Sequence, residues 1–281
     1  MKDFSLKDWI PHHLIFGERE ILCEWLYLAD KKFTEPFFKQ TVSLCQNLAE
    51  NKKLFRSIST FDGLIEAGFN AESIEPSCFI FHISRCGSTL LTQMFSLDEK
   101  NIVISETEIL DELAKYFFSY FDDRFDQVFQ STVKLLGKKR FENEENFFVK
   151  LDSWHIFFYE KLRSLFPKTP FIFTFRKPSE VIHSQMKSFN EMIPFELFRF
   201  QTFGFEFPDF LALQQEKYVA KVLERYFEEY LRISEIDENS LFLNYADGIS
   251  SNFEKIESFL KISFENDIKE KMFERTKFHS K

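Results

Sequence analysis

The chain has 281 residues, 44% hydrophobic and 29% charged, a balance typical of a globular protein with ample material for a core. A net charge of −9 argues against a protein that coats nucleic acid, because phosphate-backbone binding needs a basic surface. It leaves room for a small anionic ligand held by a few local Arg and Lys. Forty Phe beside only 7 Gly point to compositional drift, so a Phe cluster alone does not mark an aromatic site.

Residues 1–75 are expected to form a helical extension packed on the rest. "EREILCEWLYLADKKF" and "PFFKQTVSLCQNLAENKKLF" have helical periodicity, and no convincing strand stands out. The start "MKDFSLKDWIPHH" carries acids and no apolar segment, so no signal peptide is expected, and no apolar run approaches the ~20 residues that span a membrane. Cys23, Cys45, Cys78 and Cys86 form no CxxC and no metal-like spacing, which suits a reduced, cytoplasmic protein.

From residue 76 to 281 the pattern changes to one α/β domain, continuous with the extension as a single globular unit. Five short, nearly continuous apolar runs predict strands buried on both faces: "CFIFHI" (78–83), "NIVIS" (101–105), "FFVKL" (147–151), "FIFTF" (171–175) and "LFLNY" (241–245). Helical patterns alternate with them. Leu90, Leu91, Met94 and Phe95 share a face after the first strand. Asp152 is placed to cap a helix carrying Ile156, Tyr159, Leu162 and Phe166, and Pro178 opens another with Val181, Ile182, Gln185 and Phe189 inward. The fold class is therefore α/β: three layers around a central parallel sheet, plus the N-terminal helical extension. "NEMIPFELFRFQTFGFEFPDF" (190–210) reads as a long loop or short helices placed where a lid belongs.

The chemistry concentrates in "CFIFHISRCGSTLL". A strand stops at a short turn with Gly87, then Ser88 and Thr89 open a helix. Such a turn presents backbone N–H groups and a helix N-terminus to an anion. The phosphate loop of nucleoside triphosphatases reads GxxxxGK[ST]. Here His82 stands at the first glycine and no lysine precedes Ser88 and Thr89, while Arg85 supplies a forked cation two residues before Gly87. Cys86 reads as a small residue filling the tight turn.

"SRCGSTLL", from Ser84 through Arg85, Cys86, Gly87, Ser88, Thr89 and Leu90 to Leu91, resembles the PRSGTTLL-type loop of sulfotransferases, which use 3′-phosphoadenosine 5′-phosphosulfate as donor. Ser84 replaces the proline, Cys86 the serine and Ser88 the first threonine. "FIFTFRKPSEVIHSQ" is similar to the family's 3′-phosphate motif, in which an Arg at a strand end and a Ser eight residues on hold that phosphate; Arg176 and Ser184 have that spacing. "FLNYADGISSNFEKIESFLKI" resembles the family's late strand-and-helix segment, which carries a nucleotide-contacting Tyr over to Tyr245. "FFVKLDSW" and "IVISETEIL" are similar to segments of the tyrosylprotein and bacterial branch. The resemblance covers about residues 78–262.

It implies the P-loop-like fold, sulfuryl transfer from the donor to an acceptor hydroxyl, less readily an amine, by in-line displacement, and adenosine 3′,5′-bisphosphate as product, with no metal. Glu106 aligns with the branch's catalytic base, with Glu108 as competitor. Lys150, unusual near the end of an apolar strand, would stabilise charge on the bridging oxygen, and Arg85 would act at the 5′ end. Cytosolic members use a His base, but none of the six His has a matching context. The basic end "ERTKFHSK" is expected to be a charged tail. The acceptor is expected to be a small molecule or peptide, with no nucleic acid and no membrane span. A small-molecule kinase or nucleotide hydrolase on a related fold, and a non-catalytic nucleotide-binding module, are the alternatives. The missing loop lysine and the lack of a Walker-B-like acid count against the first.

Overall fold

The computed structural model describes residues 6–17, 20–52, 56–187, 203–204 and 215–278. The elements, in chain order, are β1 (Trp9–Phe16), β2 (Ile21–Tyr27), α1 (Phe38–Cys45), β3 (Ile58–Thr60), α2 (Phe61–Phe69), β4 (Cys78–His82), α3 (Ser88–Phe95), β5 (Asn101–Ser105), α4 (Glu108–Ser119), α5 (Phe125–Leu136) and β6 (Asn146–Lys150). A 3₁₀ turn (Ser153–Phe158) leads to α6 (Tyr159–Leu165), β7 (Phe171–Phe175), α7 (Pro178–Lys187), α8 (Gln215–Ile236), β8 (Ser240–Asn244), a short 3₁₀ turn (Tyr245–Asp247), α9 (Ile249–Leu260) and α10 (Asn266–Arg275).

The five apolar runs become a five-stranded parallel sheet in the order β5-β6-β4-β7-β8, flanked by helices. All five residues of β4 and all five of β5 are buried, as continuous apolar strands require. Each of the five matches its sequence run to within a residue. Many of the described Phe are core material, although Phe69 and Phe121 are exposed. Phe81, Phe173 and Phe242 stack face to face with centroids 4.8 and 4.7 Å apart, and Phe95 stacks on Phe148 at 4.5 Å.

The N-terminal region departs from expectation. It is not purely helical: β1, β2 and β3 form an antiparallel sheet in that order, joined by α1 and α2. Pro11 sits in β1, an edge strand, where its missing N–H costs no ladder bond, and the register shifts between Pro11 and His13. Short apolar runs fit both periods, and pairing between segments decides which forms. Tertiary ties fix β1: Glu112 on α4 accepts from the Leu14 N–H at 2.6 Å and pairs with His13 Nδ1 at 2.6 Å, and Lys138 donates to the Trp9 carbonyl at 2.7 Å.

A second correction concerns Asp152. It precedes a 3₁₀ turn rather than the start of an α-helix, and its side chain makes no capping bond. Its carbonyl instead accepts from the His155 N–H at 3.0 Å. Val181 and Gln185 are buried on α7 as expected, while Phe189 and the stretch 190–210, apart from Phe203 and Gly204, lie outside the described residues.

Contacts divide the chain into two compact units. One comprises residues 1–79, 89–151 and 263–281; the other comprises 80–88 and 152–262. Among the described residues no helix is long and apolar enough to cross a membrane. All four cysteines are free and buried. Burial pushes the thiols of Cys23, Cys45 and Cys78 upward, away from reactive thiolate.

Candidate active site

Every candidate segment follows or ends a strand of the parallel sheet at its carboxyl end. The loop 84–88 follows β4, Glu106 follows β5, Lys150 ends β6, Arg176 follows β7 and Tyr245 follows β8. In open α/β sheets this is where ligands bind.

Within the first unit, Glu106, Lys150 and Thr89 come together. Lys150 is 1% exposed, an extreme position for an ammonium group, and it reaches its partners from the last residue of β6. Its Nζ ion-pairs with Glu106 Oε1 and donates to Thr89 Oγ1 at 3.2 Å. It also lies 5.4 Å from the centroid of the Phe37 ring, a cation–π contact. Glu106 is held by the main chain as well. Its N–H donates to the Lys150 carbonyl at 2.9 Å, extending the β5–β6 ladder by one residue. Its backbone then steps into the left-handed region at φ 54°. For a non-glycine residue that costs on the order of 1–3 kcal/mol, and such strain persists only where surrounding contacts enforce it. Thr107 next caps α4, accepting from the Leu110 N–H at 3.4 Å, and Glu108 is the first helical residue.

Within the second unit lies the loop from Ser84 to Ser88. Ser84, Arg85 and Gly87 all have positive φ, at 69°, 50° and 83°. Left-handed backbone concentrated in this way is the kind of conformation in which successive N–H groups can form a concavity suited to an anion. Side chains clamp it. Gln185 Nε2 donates to Ser84 Oγ at 2.8 Å, and the Ser84 N–H donates to His82 Nδ1 at 3.1 Å. Cys86 Sγ and Thr174 Oγ1 share a bond at 3.1 Å, and Thr174 Oγ1 also bonds the Phe81 carbonyl at 3.2 Å. Cys86, 4% exposed, is the small filler the turn needed.

Gly87 is required twice over. Beyond its φ, a Cβ there would lie 2.8 Å from Cδ2 of Tyr245. Tyr245 thus lies against the loop, and its other neighbour is Arg176, whose Cζ sits 4.6 Å from the ring centroid. Arg176 donates Nε to Glu180 at 2.6 Å on an exposed i,i+4 pair. Such pairs contribute about 0.3–0.5 kcal/mol. Ser184 lies two turns along α7, half-buried. Ser88 is buried and Leu90 half-buried in the first turn of α3.

Sequence reasoning did not assign three residues to the site, although it placed Gln185 on an inward helix face. Phe37 comes from the N-terminal region that no motif covered. Thr174 was legible as the one hydroxyl in "FIFTF", and Gln185 as the one amide on an otherwise apolar helix face. At the C-terminus, Arg275 donates to Gln93 Oε1 on α3 at 2.5 Å, so this part of the basic end is docked rather than a frayed tail.

No protein-family model and no curated protein sequence matches the chain. Among solved structures, the sulfotransferase domain from the curacin biosynthetic pathway is similar over 70% of this chain and 77% of its own, at 16% identity and a TM-score of 0.48. Sulfotransferase STF9 from Mycobacterium avium is similar over 86% of this chain and 77% of its own, at 13% identity and a TM-score of 0.52. At that identity the likeness is one of architecture: the chain has the fold of a sulfotransferase.

Proposed function

We propose that the protein is a sulfotransferase that moves a sulfuryl group from 3′-phosphoadenosine 5′-phosphosulfate to an acceptor hydroxyl. The observation that carries this reading is Lys150, buried and bonded at once to Glu106 and to Thr89 of the loop helix. In a triphosphatase the equivalent loop hydroxyl would hold magnesium, and the loop would carry its own lysine. Here the cation comes from a neighbouring strand, which suits a donor whose 5′-phosphate carries one further transferable group.

The residues present suit that donor. The left-handed turn with Arg85, Cys86, Gly87, Ser88, Thr89 and Leu90 takes the 5′ end. Arg176 and Ser184 take the 3′-phosphate, and Tyr245 packs on the nucleotide side of the loop. The acceptor oxygen attacks sulfur in line, an O–S bond forms, and the bond from sulfur to the bridging phosphate oxygen breaks. Glu106 accepts the acceptor's proton, and Lys150 meets the charge that grows on the leaving oxygen. As Lys150 turns toward that oxygen, its hold on Glu106 loosens and the carboxylate is freed to act as base. No step calls on a metal ion. Four buried free thiols fit a reducing, cytoplasmic setting.

The test is transfer of label from donor carrying radioactive sulfate to a panel of phenols, alcohols, sugars and tyrosyl peptides. Labelled ester with equimolar adenosine 3′,5′-bisphosphate is the expected result. Hydrolysis of ATP–magnesium with no sulfate transfer would replace this reading with the nucleotide hydrolase.

A further inference from the structure

A polar cavity of about 370 Å³ lies in the first unit, bounded by β1, β2, α1 and the first residue of α4. Its size is at the lower end of small-molecule sites, which run ~300–1,000 Å³. Glu108 lines it, two residues after Glu106. Two residues of chain span at most ~7 Å, so the cavity begins within a small molecule's length of the proposed base. A larger groove of about 900 Å³, lined by Gly63, Asn70, Lys139 and Glu142 among others, holds none of the candidate residues.

The lining is unlike an apolar acceptor pocket. Apart from Trp25, Leu26 and Val42 it consists of polar and charged side chains. Glu24 is paired with Arg56 at 3.4 Å, but Glu50 and Glu108 have no ion-pair partner among the described residues. Two carboxylates without an ion-pair partner among the described residues favour a ligand that donates hydrogen bonds over one that is already anionic. His12 is 9% exposed, and its Nδ1 has no hydrogen-bond partner among the described residues. Burial, His13 and Arg56 lower its pKa to about 4, so the ring is neutral at neutral pH and can both give and accept one hydrogen bond. A buried polar atom without a partner, in a cavity, calls for a ligand hydroxyl. Trp25 adds an aromatic wall whose N–H is already given to Ser59 at 2.9 Å.

We infer that this cavity seats the acceptor, and that the acceptor is a small hydroxyl-rich molecule of the sugar or amino-sugar kind. The inference rests on the sulfotransferase reading. It also gives the two neighbouring acids different tasks: Glu106 handles the proton and Glu108 the acceptor's orientation.

The experiment uses the full chain with labelled donor, methyl glycosides of glucose, galactose and glucosamine, and 2-naphthol as the apolar contrast. Binding of adenosine 3′,5′-bisphosphate is measured alongside by calorimetry. At least one glycoside is expected to be sulfated, with Glu50→Gln and Gln46→Leu raising its KM about tenfold, the loss of one hydrogen bond, while kcat and bisphosphate affinity stay unchanged. Glu50→Gln keeps size and polarity, and a thermal melt confirms that each variant folds. Sulfation of 2-naphthol but of no glycoside, or KM values indifferent to both substitutions, overturns the sugar pocket and leaves the sulfotransferase standing. Failure of wild-type protein to bind the bisphosphate overturns both.

Discussion

The charged clusters of the two units, one around Lys150 and one around Arg176, are built on opposite principles. Around Lys150 the charges are buried and paired in advance: an ammonium at 1% exposure, a carboxylate at 22%, and a hydroxyl. Around Arg176 they are exposed and loosely held: a guanidinium at 28% exposure on a half-exposed Glu180, beside a Tyr245 ring that is 45% exposed. Preorganised charge in a water-poor site is what a transition state needs, because it costs no reorganisation when charge develops. Exposed charge with a weak partner is what a tight ligand contact needs, because displacing that partner costs little. Chemistry and binding should therefore separate by substitution, one cluster governing turnover and the other governing donor affinity.

The largest break should come at the acid. Glu106→Gln is expected to lower turnover by ~10²–10⁴-fold with donor affinity preserved, measured by steady-state transfer and calorimetry. Glu108→Gln should instead act on acceptor KM. Loss of turnover in Glu108→Gln alone would move the base to that residue.

The pair also sets stability, and asymmetrically. Glu106→Gln leaves a fully buried ammonium without a counter-ion, a defect that costs about 3–5 kcal/mol. Lys150→Met leaves a carboxylate that water still reaches, so it should cost less, and the double variant should recover part of the loss. Denaturant melts of the three proteins check the order, and equal losses in the two single variants would contradict it.

His12 sharpens the contrast through pH. Its folded pKa lies near 4 against 6.5 unfolded, because burial and the neighbouring His13 and Arg56 disfavour the charged ring. The unfolded chain binds the proton more readily, so this contribution is whole above pH 6.5 and is lost as pH falls toward 4. The gap amounts to about 3 kcal/mol. His12→Gln should flatten the stability profile in that window relative to wild type, and parallel profiles would show that His12 is not titrating there.

On the binding side, Arg176→Ala should weaken adenosine 3′,5′-bisphosphate by about 1.5–3 kcal/mol and leave adenosine 5′-phosphate nearly unchanged. Equal weakening of both would remove Arg176 from the 3′-phosphate. The smallest effect is expected from Gly87→Ala. The left-handed φ of 83° and the Tyr245 ring, 2.8 Å from the new Cβ, together should cost about 1–2 kcal/mol of donor affinity, measurable by calorimetry.

How much of this was legible varied with distance along the chain. Four of the five parallel strands, β4 to β7, were readable because each is a nearly continuous apolar run buried on both faces, which leaves no alternation to misread; β8 is a similar run that stays mostly half-buried. The loop was readable because its turn chemistry is local: strand, glycine, two hydroxyls, helix. β1 was not, because Pro11 and the His12–His13 pair interrupt its apolar pattern and its pairing with β2 is what makes it a strand. Lys150 drew notice as a lysine in an apolar strand, but its contact with Phe37 joins segments far apart in sequence and left no local signal. Composition alone did not distinguish Glu106 from Glu108; only the resemblance favoured Glu106. The left-handed step at Glu106 and its ion pair with Lys150 give the two acids different surroundings, and both features belong to tertiary structure.

The central claim is that the loop and Arg176 are built for a nucleotide with a 5′-phosphate and a 3′-phosphate rather than for a triphosphate with magnesium. Calorimetric titration of the wild-type protein with adenosine 3′,5′-bisphosphate and, separately, with ATP–magnesium tests it most directly. The account predicts bisphosphate binding at least tenfold tighter, a preference that collapses in Arg176→Ala. Tighter binding of ATP–magnesium, unaltered by Arg176→Ala, would contradict it.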